Sequence, residues 1–377
     1  MLITTAVAPA LADLRPVQPI DTSESAEVRA TFPVYQDLTS ALVDGRDRAV
    51  IAHALSVAAG YVYSDVETES TMMARMGLTD NLCVAATMSV DAMFIETTAY
   101  IIQSADGRVV IVSYRGTELT NSISWVADAD VNTDPIAFQF GRDVADPSES
   151  YAIHGGFYRN VRSTRYVVVE ALKRAAQGLA IHNGVAGDAE PAGGTRRLAH
   201  RMESLYVTGH SFGGAQADLL AVMLMTDDRY HERFGKQFKG LYTFGQPMVG
   251  SPEFAARCDR LSVLAHNTFR YKYRHDPVPH LPPRVTGEFA HHGQEFHLSG
   301  PGDDRIRVAC RNTGQELFPS RLLWAPIGFV TRQIPLLAGI PLPYNIDDHF
   351  PHRYIAALTP PGRANEFGDA EFYRGDD

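Results

Sequence analysis

Residues 204–226 read SLYVTGHSFGGAQADLLAVMLMT. The first six residues, SLYVTG, carry apolar side chains at Leu205, Tyr206 and Val207, as a strand covered on both faces requires. From Phe212 to about Met225 the run is long and apolar enough for a buried helix. Between them stands Gly209-His210-Ser211-Phe212-Gly213, a G-x-S-x-G pattern followed by the small residues Gly214 and Ala215. A serine on a tight strand-to-helix turn needs small neighbours, because any larger side chain would collide with the turn. That placement exposes the Ser211 hydroxyl and sets the Phe212 N–H, at the positive end of the helix, beside any oxyanion formed there. The stretch therefore predicts a nucleophile elbow.

Outward from it, the pattern keeps alternating. Downstream come a strand at 240–245 (GLYTFG), a short helix starting near Ser251 and a strand at 267–273 (NTFRYKY). Upstream, the β-rich runs 97–104 (TTAYIIQS) and 108–114 (RVVIVSY) flank an Ala-Asp-Gly turn, Ala105 to Gly107, and predict a hairpin. Phe157, Val161, Val168, Leu172, Ala175 and Leu179 follow a helical period, as do Ala52, Leu55, Ala59 and Val62. Residues 183–197 (NGVAGDAEPAGGTRR) read as a surface loop. Strands alternating with helices predict an α/β fold, with a largely parallel central sheet and helices on both faces.

Composition narrows the function classes. The chain has 377 residues, 45% of them hydrophobic and 21% charged, which suits a globular protein with a large core. A formal net charge of −10 argues against nucleic-acid binding, and gives no electrostatic help toward anionic membranes. Three cysteines, Cys83, Cys258 and Cys310, form no disulfide framework and no CxxC pair. The N-terminal MLITTAVAPALA lacks a basic region and a full apolar run, so it reads as an arm rather than a signal peptide. No uninterrupted apolar stretch is long enough to span a bilayer. These features together set the expectation of a cytoplasmic protein. The nearest apolar candidate, 321–345 (RLLWAPIGFVTRQIPLLAGIPLPYN), is broken by prolines and by Arg332.

A serine nucleophile needs a base, and the base needs an orienting carboxylate. In the Ser–acid–His order of α/β-hydrolases the acid follows a later strand, and Asp276 does so in RYKYRHDPVPHLPP (270–283). His280, His291, His292, His297, His349 and His352 all lie downstream, and spacing does not choose among them.

Several blocks in order resemble the class 3 lipase family, the fungal-type triacylglycerol lipases and their relatives. They are Ser113-Tyr114-Arg115-Gly116-Thr117, His154-Gly155-Gly156-Phe157, Val207 to Ala215, Thr243 to Gly250, and Asp276 to Pro283. The resemblance covers roughly 95–300 and 345–358, and it implies an α/β-hydrolase fold. It also resolves the histidine: Asp348-His349, with Tyr354 after it, is similar to the family's catalytic block, whereas His291-His292 is similar to an element that precedes it. The resemblance thus implies Ser211 as nucleophile, Asp276 as orienting acid and His349 as base, with Thr117 and Phe212 forming the oxyanion hole. Glu118 to Val131 is similar to the family's lid, with Trp125 near its middle. Met248 stands where the family usually has arginine, and Phe212 where leucine is common.

The expected function is a serine hydrolase acting on carboxylic esters of lipids. The alternatives are a phospholipase A1, a short-chain esterase or a non-catalytic lipid-binding relative. Neither cofactor nor metal is expected; Asp347, Asp348 and His352 contain ligand-type side chains, but the triad claims His349 between them. The expected partner is a lipid ester, with peripheral contact at a lipid interface. For that contact Trp125, Trp324 and Phe329 are the candidates, the last two within an apolar inserted segment at 320–347. The expected organisation is an N-terminal arm and helical extension over 1–94, followed by the hydrolase domain over 95–377.

Overall fold

A computed structural model of the protein describes residues 2–7, 32–90, 95–116, 135–138, 140, 150–182, 196–300, 307–309, 312–315 and 344–368. Thr117, Trp125, Cys310, Trp324 and Phe329 lie outside the described residues, as do the loop at 118–131 and most of the segment at 320–347.

Nine strands form one sheet. Its order is β1 (Leu2–Val7), β2 (Leu82–Val90), β3 (Ile95–Gln103), β4 (Val109–Tyr114), β7 (Ser204–His210), β8 (Phe238–Phe244), β9 (Thr268–Tyr273), β10 (Gln294–Leu298) and β11 (Arg307–Val308). The strands from β4 through β10 pair in parallel, while β1 to β3 on one flank and β11 on the other add antiparallel pairings. A separate hairpin joins β5 (Pro135–Phe138) to β6 (Tyr151–His154). The predicted hairpin at 97–114 is the β3–β4 pair. Gly107 at its turn has φ 92°, and a Cβ there would sit 2.5 Å from the His200 carbonyl oxygen, so only glycine fits.

Parallel neighbours need helical crossovers, and these cover both faces. The helices are α1 (Leu38–Asp44), α2 (Arg48–Tyr61), α3 (Val66–Met76), α4 (Gly155–Ala176), α5 (Phe212–Thr226), α6 (Asp228–Phe234), α7 (Pro252–Arg260), α8 (Ser262–Asn267) and α9 (Pro351–Leu358). Alternate strand residues divide between two cores. Val110, Val112, Leu205 and Val207 pack with Phe157 of α4, Leu219 of α5 and Phe254 of α7. Val109, Ile111, Tyr206 and Tyr242 pack with Leu42 of α1, Leu55 of α2, Met73 of α3 and Ile355 of α9. Helix α5 is buried on nearly every side, which explains its apolar sequence.

The helices before residue 95 are thus integral to the second core. Helix α2 starts at the Asp47 cap, whose carboxylate accepts from the Val50 N–H. It is tied to two central strands where the Ser113 hydroxyl donates to the Ala58 carbonyl (3.0 Å) and the Thr208 hydroxyl to the Leu55 carbonyl (3.4 Å).

One side chain in this layer opposes the fold. Glu69 of α3 is fully buried, and neither carboxyl oxygen has a hydrogen-bond partner. Burial pushes its pKa well above the ordinary carboxylate range. The folded protein therefore holds a proton that the unfolded chain releases, so this site's contribution falls as pH rises from the unfolded carboxylate pKa toward the folded one. Glu69→Gln is expected to flatten that loss: the drop in Tm between pH 4 and pH 8 shrinks by about 1 °C per kcal/mol of ionisation cost removed. Parallel Tm–pH curves for the two proteins would contradict the assignment.

Candidate active site

Ser211 occupies the β7–α5 turn with φ 57° and ψ −131°, a conformation that costs a non-glycine residue of order 1–3 kcal/mol. The surrounding sequence makes room for it. A Cβ on Gly209 would lie 2.4 Å from the Gly213 carbonyl oxygen, and one on Gly213 would lie 2.1 Å from that of Tyr114. The turn is pinned by the Ser211 N–H donating to the Phe244 carbonyl (2.9 Å) and the Gly214 N–H donating to the Ser211 carbonyl (2.9 Å). Phe212 opens the 15-residue helix α5, so its N–H lies at the positive end of the helix dipole.

Asp276 follows β9, as the sequence predicts, and His349 closes a short 3₁₀ turn (Ile346–His349) just before α9. His349 Nε2 lies 2.8 Å from Ser211 Oγ, and its Nδ1 lies 2.9 Å from Asp276 Oδ2. All three side chains are at most 5% exposed. A carboxylate can only accept, so Nδ1 carries the proton and Nε2 faces the serine as the acceptor. The ordering is what proton removal from Ser211 requires.

Two further groups hold Asp276. The Val278 N–H donates to Oδ1 (2.9 Å), and the Tyr354 hydroxyl donates to Oδ2, the oxygen that receives His349. Burial and the adjacent Asp276 charge push the Tyr354 pKa well up, so the phenol stays protonated and remains a donor. The acid and base loops also interlock directly. The His275 N–H donates to Asp348 Oδ2 (3.1 Å), and the Asn345 N–H donates to the His275 carbonyl (3.1 Å). Gly245 (φ 61°) lies so close that a Cβ there would sit 2.7 Å from Asp276 Oδ2 and 2.9 Å from His349 Nδ1.

The competing histidines have other work. His291 Nε2 donates to the Pro279 carbonyl (2.8 Å), bracing the loop that follows Asp276, and His292 Nε2 meets Asp218 Oδ1 at 2.8 Å. Asp347 is paired with Arg353 (2.6 Å), and no cluster of His, Cys, Asp and Glu among the described residues could hold a metal ion. His154 caps α4 by accepting from the Gly156 N–H (3.2 Å) and stacks on Phe157 at 4.1 Å. Phe157 in turn meets the Phe212 ring edge-on at 4.8 Å, so the His-Gly-Gly-Phe block shapes the wall beside Phe212. Sequence reasoning gave no role to His210 or Tyr63. The only available hint was the position of His210 beside the serine.

Residues 111–286 match the class 3 lipase family. Among curated proteins, the chain is 29% identical over 202 residues to a secreted mono- and diacylglycerol lipase of Fusarium solani, covering 54% of this chain and 47% of the relative. It is 38% identical over 104 residues to a lipase of Rhizomucor miehei, covering 27% and 26%. The chain spans about half the length, or less, of the curated relatives it matches. A solved Rhizomucor miehei lipase–propeptide complex superimposes with a TM-score of 0.54 at 18% identity, covering 94% of this chain and 99% of that one. The fold is that of the α/β-hydrolases. The segment 111–286 is similar to the class 3 lipase family.

The relatives correct the cytoplasmic expectation, since the Fusarium solani protein is by name a secreted enzyme. The cysteine argument behind that expectation also fails on physical grounds. Cys83 and Cys258 are free and fully buried, so the fold shields both thiols from oxidants in any compartment.

Proposed function

We propose that the protein is a serine hydrolase that cleaves carboxylic esters of lipids, with acylglycerols as the substrate class. The observation that carries this reading is the unbroken hydrogen-bond chain Ser211–His349–Asp276, formed across residues far apart in sequence. His349 Nε2 takes the Ser211 proton as Oγ attacks the ester carbonyl. The oxyanion is received by the Phe212 N–H and, on the family resemblance, by the Thr117 N–H. His349 then gives its proton to the departing alcohol oxygen, leaving an acyl-enzyme. Water repeats the sequence: His349 takes its proton, the hydroxide oxygen attacks the acyl carbon, and Ser211 leaves with the proton returned to Oγ. The Asp276 carboxylate stabilises the imidazolium. Lipid esters are favoured over other acyl compounds because the proteins the chain is similar to include a mono- and diacylglycerol lipase of Fusarium solani and a triacylglycerol lipase of Arabidopsis thaliana.

The test is a panel of p-nitrophenyl esters of increasing chain length, mono-, di- and triacylglycerols, and a phospholipid, each run below and above its critical micelle concentration. Highest turnover on acylglycerols is the expected outcome. Turnover confined to short soluble esters or to the phospholipid would replace acylglycerols with that class. Absence of turnover on every ester would overturn the reading.

A further inference from the structure

His210 precedes the proposed nucleophile and is buried, yet its imidazole faces away from Ser211 chemistry. Its Nε2 lies 2.6 Å from the backbone carbonyl oxygen of His349, and its Nδ1 lies 2.9 Å from the hydroxyl of Tyr63. A carbonyl oxygen only accepts, so Nε2 must carry the proton. Nδ1 is then an acceptor, and the Tyr63 hydroxyl must be its donor. Burial first, and the neighbouring His349 second, push the His210 pKa well below the usual histidine range, so the ring is neutral with one proton to place. The His349 carbonyl places that proton on Nε2, and the Tyr63 hydroxyl, donating to Nδ1, holds the ring in that orientation.

Tyr63 is well placed to be a fixed reference. It follows α2, which is anchored to β4 and β7 through Ser113 and Thr208. Its ring meets His210 edge-on at 5.9 Å. The chain after β4 closes on the same oxygen: a Cβ on Gly116 would lie 2.1 Å from Tyr63 Oη and 2.7 Å from the His210 carbonyl. The His210 and His349 rings are themselves in contact, with centroids 4.6 Å apart.

We propose that Tyr63 is a positioning residue for the base: its hydroxyl, donating to Nδ1, holds the His210 ring in place, and the His210 Nε2–H clamps the backbone of His349 at the distance from Ser211 that proton transfer needs. This rests on the hydrolase reading of the site. Without the hydroxyl, Nδ1 loses its donor and the ring is free to turn, which loosens its hold on the His349 carbonyl. A displacement near 1 Å at the reacting groups costs up to ~10²-fold in rate.

Tyr63→Phe keeps the ring and removes only the donor. Its kcat on a soluble ester is expected to fall about 10- to 100-fold, with KM within about twofold, because substrate contacts are untouched. In a His210→Leu background the same substitution should have no further effect, since the clamp is already gone. Independently, nitrogen NMR of histidine-labelled wild-type protein should show His210 as the Nε2–H form, and Tyr63→Phe should shift its Nδ1 resonance and speed exchange of its Nε2 proton with solvent. An undiminished kcat in Tyr63→Phe, an equal loss in the His210→Leu background, or an Nδ1–H form of His210 in the wild type would each overturn the proposal. A lowered Tm with unchanged kcat would show a purely structural tyrosine and overturn it too. Failure of the underlying reading looks different: the wild type itself would then fail to react with a fluorophosphonate.

Discussion

Ser211→Ala, Asp276→Asn and His349→Ala are each expected to lower kcat by about 10⁴ or more, with the fold intact. The three substitutions break one chain at three points. Without Oγ there is no acyl-enzyme, and without the imidazole Oγ loses the acceptor that lies 2.8 Å away. Asp276→Asn is the sharpest of them, because it changes almost no volume. The amide nitrogen would donate toward His349 Nδ1, moving the ring proton to Nε2, where it faces Ser211 and blocks the base. Asparagine in the alternative flip would present only a neutral carbonyl to the imidazolium and to Tyr354. His291→Ala is the control. Its ring reaches the Pro279 carbonyl and belongs to the loop after Asp276, so a loss below about tenfold is expected. Near-normal turnover in His349→Ala, with abolition in His291→Ala, would reverse the assignment. These rates are read beside circular dichroism and Tm, which should stay close to wild type.

Gly213→Ala is expected to be among the most damaging single-methyl additions at the described glycines. The new Cβ would lie 2.1 Å from the Tyr114 carbonyl oxygen and 2.7 Å from the Arg115 carbonyl carbon. Both obstacles are backbone, held by the parallel β4–β7 pairing, so neither can rotate aside. Relief requires separating the end of β4 from α5, which opens the turn carrying Ser211. A cost of about 4–5 kcal/mol follows, enough to leave little soluble protein, and any folded fraction should have lost activity. Gly314→Ala, with nothing within 4 Å of its Cβ, should be neutral within about 0.5 kcal/mol. A Gly213→Ala protein with wild-type Tm and turnover would mean that the turn is looser than its contacts imply.

The parts of the fold legible in the sequence are those written locally. Strand β7, the glycine-flanked turn and helix α5 occupy 23 consecutive residues, and each had its own signal: an apolar run, small residues and a long apolar helix. The β3–β4 hairpin, α4, β8 and β9 were read for the same reason. Helix α3 and strand β2 were missed. The first is polar overall, with Glu67, Glu69, Thr68 and Thr71 diluting its period, and the second is rich in alanine and lacks the alternation of a half-buried strand. Strand β10 was hidden because its five residues become a strand through pairing with β9 and β11, which no local pattern announces.

The site divides in the same way. Ser211 and Asp276 could be placed from local pattern and chain order, whereas His349 needed the family resemblance. What fixes His349 is the interlock of Asn345 and Asp348 with His275, pairings that span 70 to 73 residues and exist only in the folded chain. The contact of Tyr63 with His210, 147 residues apart, left no trace in either segment alone.

The account's central claim is that Ser211 is a nucleophile activated by His349, and a covalent probe reads this most directly. The wild-type protein is incubated with a fluorophosphonate, digested, and the adduct located by peptide mass spectrometry, with Ser211→Ala and His349→Ala treated in parallel. The prediction is one adduct, on Ser211, absent in Ser211→Ala and formed at least about 10³-fold more slowly in His349→Ala. An adduct on another residue, or equally fast labelling of Ser211 without His349, would contradict the account.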